Sequence, residues 1–334
     1  MSARAGYASL SLTVRKICIF SPYLQEVRHS EEVSHKLLLG CTRFTGDAGM
    51  TLSMVLPMII KRKRLHPEVL PSQKKKKSKV SPCKRRLLQI TMGSFYLPKD
   101  EVSLPLGQDA HFVCQEQQTF GVADGVGAWN IRGIDAGIYA RELMTNSLIA
   151  LSGLPKEAVV NPKKVLKDAY SITTAQGSST ACIVTLKDYC LHAANVGDSG
   201  FMQFRNKKFI YQSPMQQRCF NCPYQLGNGE KSDRPDIAEE LKVMVESGDI
   251  VVCGSDGLLD NMFPSEIEEI LKGTKGEICP ESLAENIAKH ALYNSFDRLT
   301  DSPFARAAKK AKYKHVGGKI DDISVIVVII KPAV

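Results

Sequence analysis

Four short apolar runs follow one another in the middle of the chain, with links of only two to four residues between them. Their sequences are STACIVTL (179–186), YCLHAAN (189–195), GFMQFR (200–205) and KFIYQS (208–213). Runs of this length and composition are typical of β-strands. A crossover between parallel strands needs about a dozen residues or more, so links this short predict antiparallel pairing.

Further strand and helix patterns flank these four runs on both sides. Upstream, AHFVCQE and QTFGVAD predict a hairpin, and helices are predicted after an N-cap at Asp135 and over Pro162–Ile172. Downstream, DIVVCGSD and DISVIVVII predict strands, and helices are predicted from Pro264 and over 281–296. Strands grouped between two sets of helices predict an α+β fold, a layered sandwich of about 240 residues.

The excess positive charge of the chain is confined to its first quarter. The formal net charge is +9, but residues 1–92 contain 18 Lys and Arg against 5 Asp and Glu, whereas residues 93–334 contain 26 against 30. Basic runs repel themselves and stay solvated, so we expect residues 1–92 to form a disordered basic tail ahead of a folded domain at 93–334. The first 25 residues lack acidic residues, which suits a plastid or mitochondrial targeting segment, while the basic clusters equally suit nuclear import.

Several other classes of protein fit the composition poorly. The apolar run at 50–60 has 11 residues, well short of the roughly 20 that span a bilayer, so no membrane segment is expected. Ten scattered cysteines without a cleavable signal peptide favour reduced thiols in an intracellular compartment, and the lone CFNC pair makes at most half a zinc site. Because the body is mildly acidic, we expect no basic face that would bind nucleic acid, and we expect a monomer.

Aspartates lie where the predicted strands meet loops: Asp109 before AHFVC, Asp124 after FGVA, Asp256 after DIVVCGS, and Asp321 and Asp322 before ISVIVVII. Each is ordinary turn chemistry when taken singly. Together, at one edge of a sheet, they would repel one another in a partly desolvated cleft unless a cation neutralised them. An all-oxygen ligand set selects a hard ion, Mg²⁺ or Mn²⁺, and glycine at 125 and 257 would leave room for a carbonyl or water beside it.

Six motifs in a fixed order closely resemble the metal-dependent protein phosphatases of type 2C: GQDAHF, VADGVG, GSSTAC, ANVGDSG, CGSDGLLDN and GGKIDDISV. The resemblance covers 93–331 and is strongest to a short branch of the family, several members of which work in organelles. It implies a four-layer αββα sandwich of two antiparallel sheets flanked by helices. It also implies two Mn²⁺ or Mg²⁺ ions per subunit and the hydrolysis of phosphoserine and phosphothreonine in proteins.

The resemblance also implies roles for individual residues. Asp124 would bridge the two ions and the Gly125 carbonyl would bind one of them, while Asp256 and Asp321 complete the ligand set. Asp109 would lie at the edge of the site, and Asp260 would help to hold an additional, looser ion. Asp124 and Asp256 would thereby be catalytic, since the bridged ions activate a shared water for in-line attack on phosphorus without a covalent intermediate.

The chain departs from the family at two positions that matter for rate. Val126 stands where many members have the histidine that protonates the leaving oxygen. His111 is a candidate to replace that histidine, but His111 is interpreted equally well as a strand residue that hydrogen-bonds away from the site. Lys99 is the cation nearest to the family's phosphate-binding arginine. Because general acid catalysis contributes about 10²–10⁴-fold, slow turnover is expected, and a pseudophosphatase that acts as a binding scaffold stays open as an alternative.

Overall fold

The computed structural model describes residues 87–100, 106–155, 158–230 and 232–333. Most of the tail predicted over 1–92, with its targeting segment and its apolar run at 50–60, therefore lies outside the described residues.

In chain order the strands are β1 Leu88–Leu97, β2 Asp109–Cys114, β3 Thr119–Asp124, β4 Ser178–Ser179, β5 Ala181–Lys187, β6 Cys190–Val196, β7 Gly200–Arg205, β8 Lys208–Gln212, β9 Gln217–Cys219, β10 Cys222–Pro223, β11 Leu226–Gly227, β12 Glu239–Met244, β13 Ile250–Gly254 and β14 Ile323–Pro332. The α-helices are α1 Gly137–Ser152, α2 Pro162–Ile172, α3 Asp256–Leu259, α4 Pro264–Gly273, α5 Pro280–Phe296 and α6 Pro303–Lys310, with short 3₁₀ helices at Gly127–Arg132 and Pro235–Ile237.

Two five-stranded antiparallel sheets form the centre of the fold. The first sheet has the order β1-β14-β13-β7-β8, and the second has the order β12-β6-β5-β3-β2. One apolar cluster joins their inner faces, with Phe120 and Val184 from the second sheet against Val251 and Ile326 from the first. The predicted sandwich of two antiparallel sheets is confirmed.

Helices cover the outer face of each sheet. Leu143 of α1 and Leu166 of α2 pack with Ile183 of the second sheet. Ile267 of α4 and Ile287 of α5 belong to the corresponding cluster on the first sheet. A strand covered on both faces has no polar side, which explains why β14 is apolar without alternation from Val325 to Ile330.

The domain begins earlier than Gly93, where the sequence predicted its start. β1 starts at Leu88 and pairs with β14 along its whole length, from Leu88 opposite Pro332 to Leu97 opposite Ile323. Ile90, two residues into the strand, is fully buried in the cluster between the sheets. The basic run that ends at Arg86 lies immediately before this strand, and its charge led the prediction to extend the tail over residues 88–92.

The four consecutive strands predicted in the middle of the chain do not all pair with their neighbours. β5 pairs with β6 and β7 pairs with β8, as the short links predicted, but β6 and β7 lie in different sheets. The link between them contains Gly197, whose φ of +99° favours glycine and lets the chain cross from one sheet to the other. No helix within the described ranges is long and apolar enough to cross a membrane.

Candidate metal centre

Two carboxylates face each other at the end of the hairpin of β2 and β3. Asp109, the first residue of β2, is paired directly with Asp124, the last residue of β3. Like charges directly opposite one another destabilise a sheet. Burial, reinforced by neighbouring carboxylates, raises the pKa of both groups well above its usual range. The pair would therefore be stabilised by a nearby cation.

The first sheet contributes three more carboxylates to the same place. Asp256 begins α3 directly after β13, Asp260 follows the last residue of α3, and Asp321 lies two residues before β14. Since β13 and β14 are antiparallel neighbours, the end of one strand adjoins the start of the other. Carboxylates separated by some 60 residues of sequence therefore meet, as the strand-end pattern predicted.

The glycines beside these ligands are required by close backbone contacts. A Cβ at Gly125 would lie 2.3 Å from the carbonyl oxygen of Ala136 and 2.5 Å from that of Gln108. A Cβ at Gly257 would lie 2.0 Å from the carbonyl oxygen of Asp322. Backbone carbonyl groups therefore occupy the space that a side chain would need at both positions, and the expected role of these glycines beside an ion stays a prediction.

Two lysines compensate part of the negative charge of the site: Lys99, which the sequence analysis named as a candidate cation, and Lys319, which it did not. The ammonium of Lys319 contacts Asp256, and it lies 3.2 Å from Asp260 and 3.1 Å from Asp321. The ammonium of Lys99 lies 2.8 Å from Asp321. Burial alone would lower the pKa of Lys319, but the surrounding carboxylates raise it well above its ordinary value.

Asp321 lies between these two ammonium groups. Burial would raise its pKa, but Lys319 and Lys99 hold it below the usual range. Lysine ammonium groups therefore supply part of the positive charge that the clustered carboxylates require, and the expected Mg²⁺ or Mn²⁺ ions stay a prediction. Consistent with this, no three His, Cys, Asp or Glu side chains within the described ranges form a preformed metal-binding group.

Several carboxylate oxygens nevertheless lack a partner. Both oxygens of Asp109 and one each of Asp198 and Asp256 are buried without a hydrogen-bond partner among the described residues. Leaving a buried acceptor unpaired costs about 1–3 kcal/mol, and more when it is charged. Carboxylate oxygen is the ligand that Mg²⁺ and Mn²⁺ prefer, so the donor set fits such ions.

Asp198 belongs to the cluster and was not among the predicted ligands. It follows β6 in the motif ANVGDSG, its side chain is buried, and it accepts a 2.8 Å hydrogen bond from the side-chain amide of Gln217. Burial, with a contribution from Asp256, raises its pKa to about 7, and burial likewise raises the pKa of Asp260 to about 8. The strand-end rule that selected Asp124 applies equally to Asp198 and could have found it.

Asp322 joins the strands around the site. Its carboxylate accepts hydrogen bonds from the Tyr96 hydroxyl at 3.2 Å and from the backbone N–H groups of Lys99 at 2.9 Å and Gln108 at 3.2 Å. These bonds connect the loop after β1 and the start of β2 to the start of β14. Asp322 therefore positions Lys99 and the segment that leads into Asp109.

His111 is bonded to β1, and no carboxylate within the described ranges hydrogen-bonds to it. Its Nε2 lies 3.0 Å from the hydroxyl of Ser94. Burial lowers the pKa of His111 to about 4, so the imidazole is neutral at neutral pH and has no excess proton to donate. This geometry favours the second of the two interpretations, a strand histidine bonded within the fold.

Proteins similar in sequence identify the family. Probable protein phosphatase 2C 80 of Arabidopsis thaliana is 44% identical over 241 residues, which cover 72% of this chain and 58% of the relative. Protein phosphatase PTC7 homolog fig of Drosophila grimshawi is 39% identical, over 66% of this chain and 78% of the relative. The chain belongs to the protein phosphatase 2C family. It spans only about half to three fifths of the length of the Arabidopsis relatives that it matches, 51% and 58%.

Solved structures with the fold of this phosphatase 2C protein agree with that assignment. The X-ray structure of the photosystem II phosphatase PBCP has a TM-score of 0.68 at 30% identity and covers 73% of this chain and 100% of that one. The catalytic domain of the serine threonine protein phosphatase PstP, in complex with two manganese ions, has a TM-score of 0.51 at 16% identity, which shows the fold alone. No family model matches the chain. The predicted type 2C resemblance is confirmed.

Proposed function

We propose that this phosphatase 2C protein removes phosphate from phosphoserine and phosphothreonine in proteins, with two Mn²⁺ or Mg²⁺ ions per subunit. The convergence of buried carboxylates, some of whose oxygens have no hydrogen-bond partner among the described residues, is the observation that carries the proposal. The carboxylate oxygens of the site are the ligands that such ions prefer, which supports the choice of metal.

The ligands proposed for the two ions are Asp124, the Gly125 carbonyl, Asp256 and Asp321, with Asp109 at the edge of the site. When bound, the ions lower the pKa of a shared water and neutralise charge on the phosphoryl oxygens. The looser additional ion is assigned to Asp260, and Asp198, which lies in the same cluster, would join it.

Lys99 is the proposed phosphate-binding cation. Its ammonium contacts Asp321 and the Gln108 side chain at 2.7 Å, and 28% of the side chain stays exposed, so a substrate oxygen can reach it. Lys319 is more enclosed, with 16% of its side chain exposed, and its ammonium contacts carboxylates and an aromatic ring of the described part of the chain. We infer that Lys99 orients the substrate phosphate. We infer also that the Lys319 ammonium moves away from the carboxylates when the ions bind to them.

The test measures hydrolysis of a phosphothreonine peptide and of p-nitrophenyl phosphate, in EDTA and in Mn²⁺, by the wild type and by Asp124→Asn. Wild-type hydrolysis should require Mn²⁺, and Asp124→Asn should abolish it. Asp188→Asn is the matched control, because Asp188 is exposed at a turn with a φ of +56° that asparagine adopts readily. Mn²⁺-independent hydrolysis, or hydrolysis that survives Asp124→Asn, would contradict the proposal.

A second candidate function is a pseudophosphatase scaffold. Lys319 already occupies the middle of the carboxylate cluster, and valine at 126 cannot protonate a leaving group. With either substrate, equal low rates for the wild type and Asp124→Asn in EDTA and in Mn²⁺, together with no Mn²⁺ binding by calorimetry, would favour the scaffold.

We further infer an organellar location and a monomer. The PBCP structure is that of a photosystem II phosphatase, so the plastid is the first compartment to test, ahead of the mitochondrion and the nucleus. A fluorescent fusion of residues 1–92 tests the location, since diffuse cytosolic signal would contradict it. Light scattering of the full chain tests the oligomeric state.

A further inference from the structure

One segment of the acidic body has the opposite charge to the rest. Residues 298–314, which include α6, contain six Lys and Arg and a single acidic residue, Asp301. The remainder of 93–334 contains 20 Lys and Arg against 29 Asp and Glu. This contrast in sign marks the segment as a candidate binding surface for an anionic partner.

Most of these positive charges are not used within the fold. Arg306 forms a 2.6 Å ion pair with Asp301. The other five cations are exposed, and no carboxylate of the described residues lies within ion-pair distance of them; they are Arg298, Lys309, Lys310, Lys312 and Lys314, called here the basic surface. Exposed cations without internal partners are free to bind anions from solution.

The basic surface is connected directly to the candidate metal centre. The backbone N–H of Phe304, at the start of α6, donates a 3.0 Å hydrogen bond to the carbonyl of Asp260. The ring of Phe304 lies 5.4 Å from the Lys319 ammonium. Because a helix rises about 1.5 Å per residue, Lys310 lies roughly 9 Å along α6 from that contact.

The far end of the segment is also fixed by packing. Tyr313, which lies between Lys312 and Lys314, packs on Phe220 with ring centroids 5.1 Å apart, and Phe220 in turn packs on Phe304 at 5.0 Å. Phe220 is at the tip of the hairpin of β9 and β10. The aromatic contacts hold the lysines of the segment beside the cleft.

We propose that the basic surface binds an acidic stretch of the phosphoprotein substrate, close in sequence to the phosphorylated residue. The proposal rests on the proposed phosphatase function and adds a substrate class to it. An extended peptide advances about 3.3 Å per residue, so acidic side chains three to six positions from the phosphorylated residue would reach the surface. Each exposed ion pair contributes little alone, and several together contribute a measurable preference.

The experiment compares phosphothreonine peptides of one length with acidic or neutral residues three to six positions before or after the phosphate. With full-length wild type in Mn²⁺ and about 50 mM salt, kcat/KM should be about tenfold higher for one of the acidic peptides. The preference should shrink near 0.5 M salt, because screening shortens the reach of exposed charges to a few ångströms. The triple variant Lys309→Glu, Lys310→Glu and Lys314→Glu should lose the preference and keep its p-nitrophenyl phosphate rate.

A second triple variant controls for net charge. Lys163→Glu, Lys164→Glu and Lys167→Glu on α2 change the charge by the same amount on a different element, and both variants retain the basic tail. The control should keep the acidic preference. Equal kcat/KM for acidic and neutral peptides in the wild type, or equal loss of preference in both triple variants, would overturn the proposal.

Binding separates failure of this proposal from failure of the phosphatase function. Anisotropy of a labelled acidic peptide without phosphate should show weaker binding to the first triple variant than to the control, whether or not any substrate turns over. If circular dichroism shows that the Lys→Glu triple variant is unfolded, the corresponding Lys→Gln triple variant is used instead. Binding of single-stranded RNA or anionic vesicles that depends on these lysines, without a peptide preference, would assign the surface to those partners and overturn the proposal.

Discussion

Replacement of Lys319 by methionine removes one positive charge from the centre of the carboxylate cluster and keeps most of the side-chain volume. The side chain is 16% exposed and contacts Asp256, Asp260 and Asp321. Removal of one partner from a buried ion pair typically destabilises a protein by about 3–5 kcal/mol. Partial exposure reduces this figure, and so does proton uptake by Asp260, whose pKa burial raises to about 8.

We therefore expect Lys319→Met to lower the free energy of unfolding by about 2–3 kcal/mol in EDTA at pH 7.5. For a domain of this size, 1 kcal/mol shifts Tm by about 2–4 °C, so Tm should fall by roughly 4–12 °C. In Mn²⁺ the difference in Tm between Lys319→Met and the wild type should become smaller. The ammonium competes for the oxygens proposed to bind the ions, so without it Mn²⁺ should bind more tightly and raise Tm by more than in the wild type.

Differential scanning fluorimetry over a Mn²⁺ series measures both quantities. Lys314→Met is the matched control, since Lys314 is exposed and forms no ion pair within the described ranges. A surface change of this kind should alter stability by no more than about 0.5 kcal/mol. If Lys319→Met melts with the wild type in EDTA and gains no larger shift from Mn²⁺, the carboxylates do not depend on this ammonium.

Three further outcomes follow from the site. Burial raises the pKa of Asp198 to about 7 and of Asp260 to about 8, so the folded state holds protons that the unfolded state releases. The free energy of unfolding of the metal-free protein should therefore fall from about pH 5 to pH 8. The double variant Asp198→Asn with Asp260→Asn should reduce this pH dependence in urea titrations in EDTA, and an unchanged pH dependence would contradict the assignment to these two carboxylates. Gly257→Ala should destabilise the protein by roughly 2–4 kcal/mol, because the new Cβ would lie 2.0 Å from a backbone carbonyl oxygen. Gly273→Ala is the control: its Cβ would have no atom within 4 Å, so the Tm of this variant should equal or slightly exceed that of the wild type. His111→Gln should keep kcat within about threefold of the wild type and leave the pH–rate profile unchanged on both its acidic and its basic side, since the neutral imidazole has no excess proton to donate. If the variant no longer shows the fall in rate at high pH, His111 is the general acid.

The strand-end rule located the carboxylates because of how antiparallel sheets are built. Asp109 starts β2 and Asp124 ends β3, and in an antiparallel pair the start of one strand is opposite the end of the other. The same geometry brings Asp256, after β13, to Asp321, before β14. The pattern predicts that these aspartates meet because each adjoins an apolar run typical of a strand, although Asp198, which follows β6, was not selected.

Other features depend on contacts that no local pattern contains. Lys319 lies in the motif GGKIDDISV, but its ion pairs depend on how the loop before β14 folds over α3. In α1, Ile138 and Ile149 fit helical spacing yet are 45% and 54% exposed, whereas Tyr139 and Leu143 are fully buried. A helix with apolar residues on several faces leaves the buried face ambiguous, and the sheet beneath it decides.

The charge distribution of this fold creates a conflict that the basic surface can relieve. The proposed metal centre, built from carboxylates, lies in a body with an excess of acidic residues, and the proposed phosphorylated substrate would bring about −1.5 to −2 charges toward it. Long-range repulsion between like charges slows encounter. Cations beside the proposed metal centre would reverse that field locally, over a Debye length of about 8 Å at physiological salt, and would leave the charge of the carboxylates unchanged. Because Phe304 touches Lys319 and its N–H bonds to Asp260, the cations are held where that reversal affects an approaching substrate.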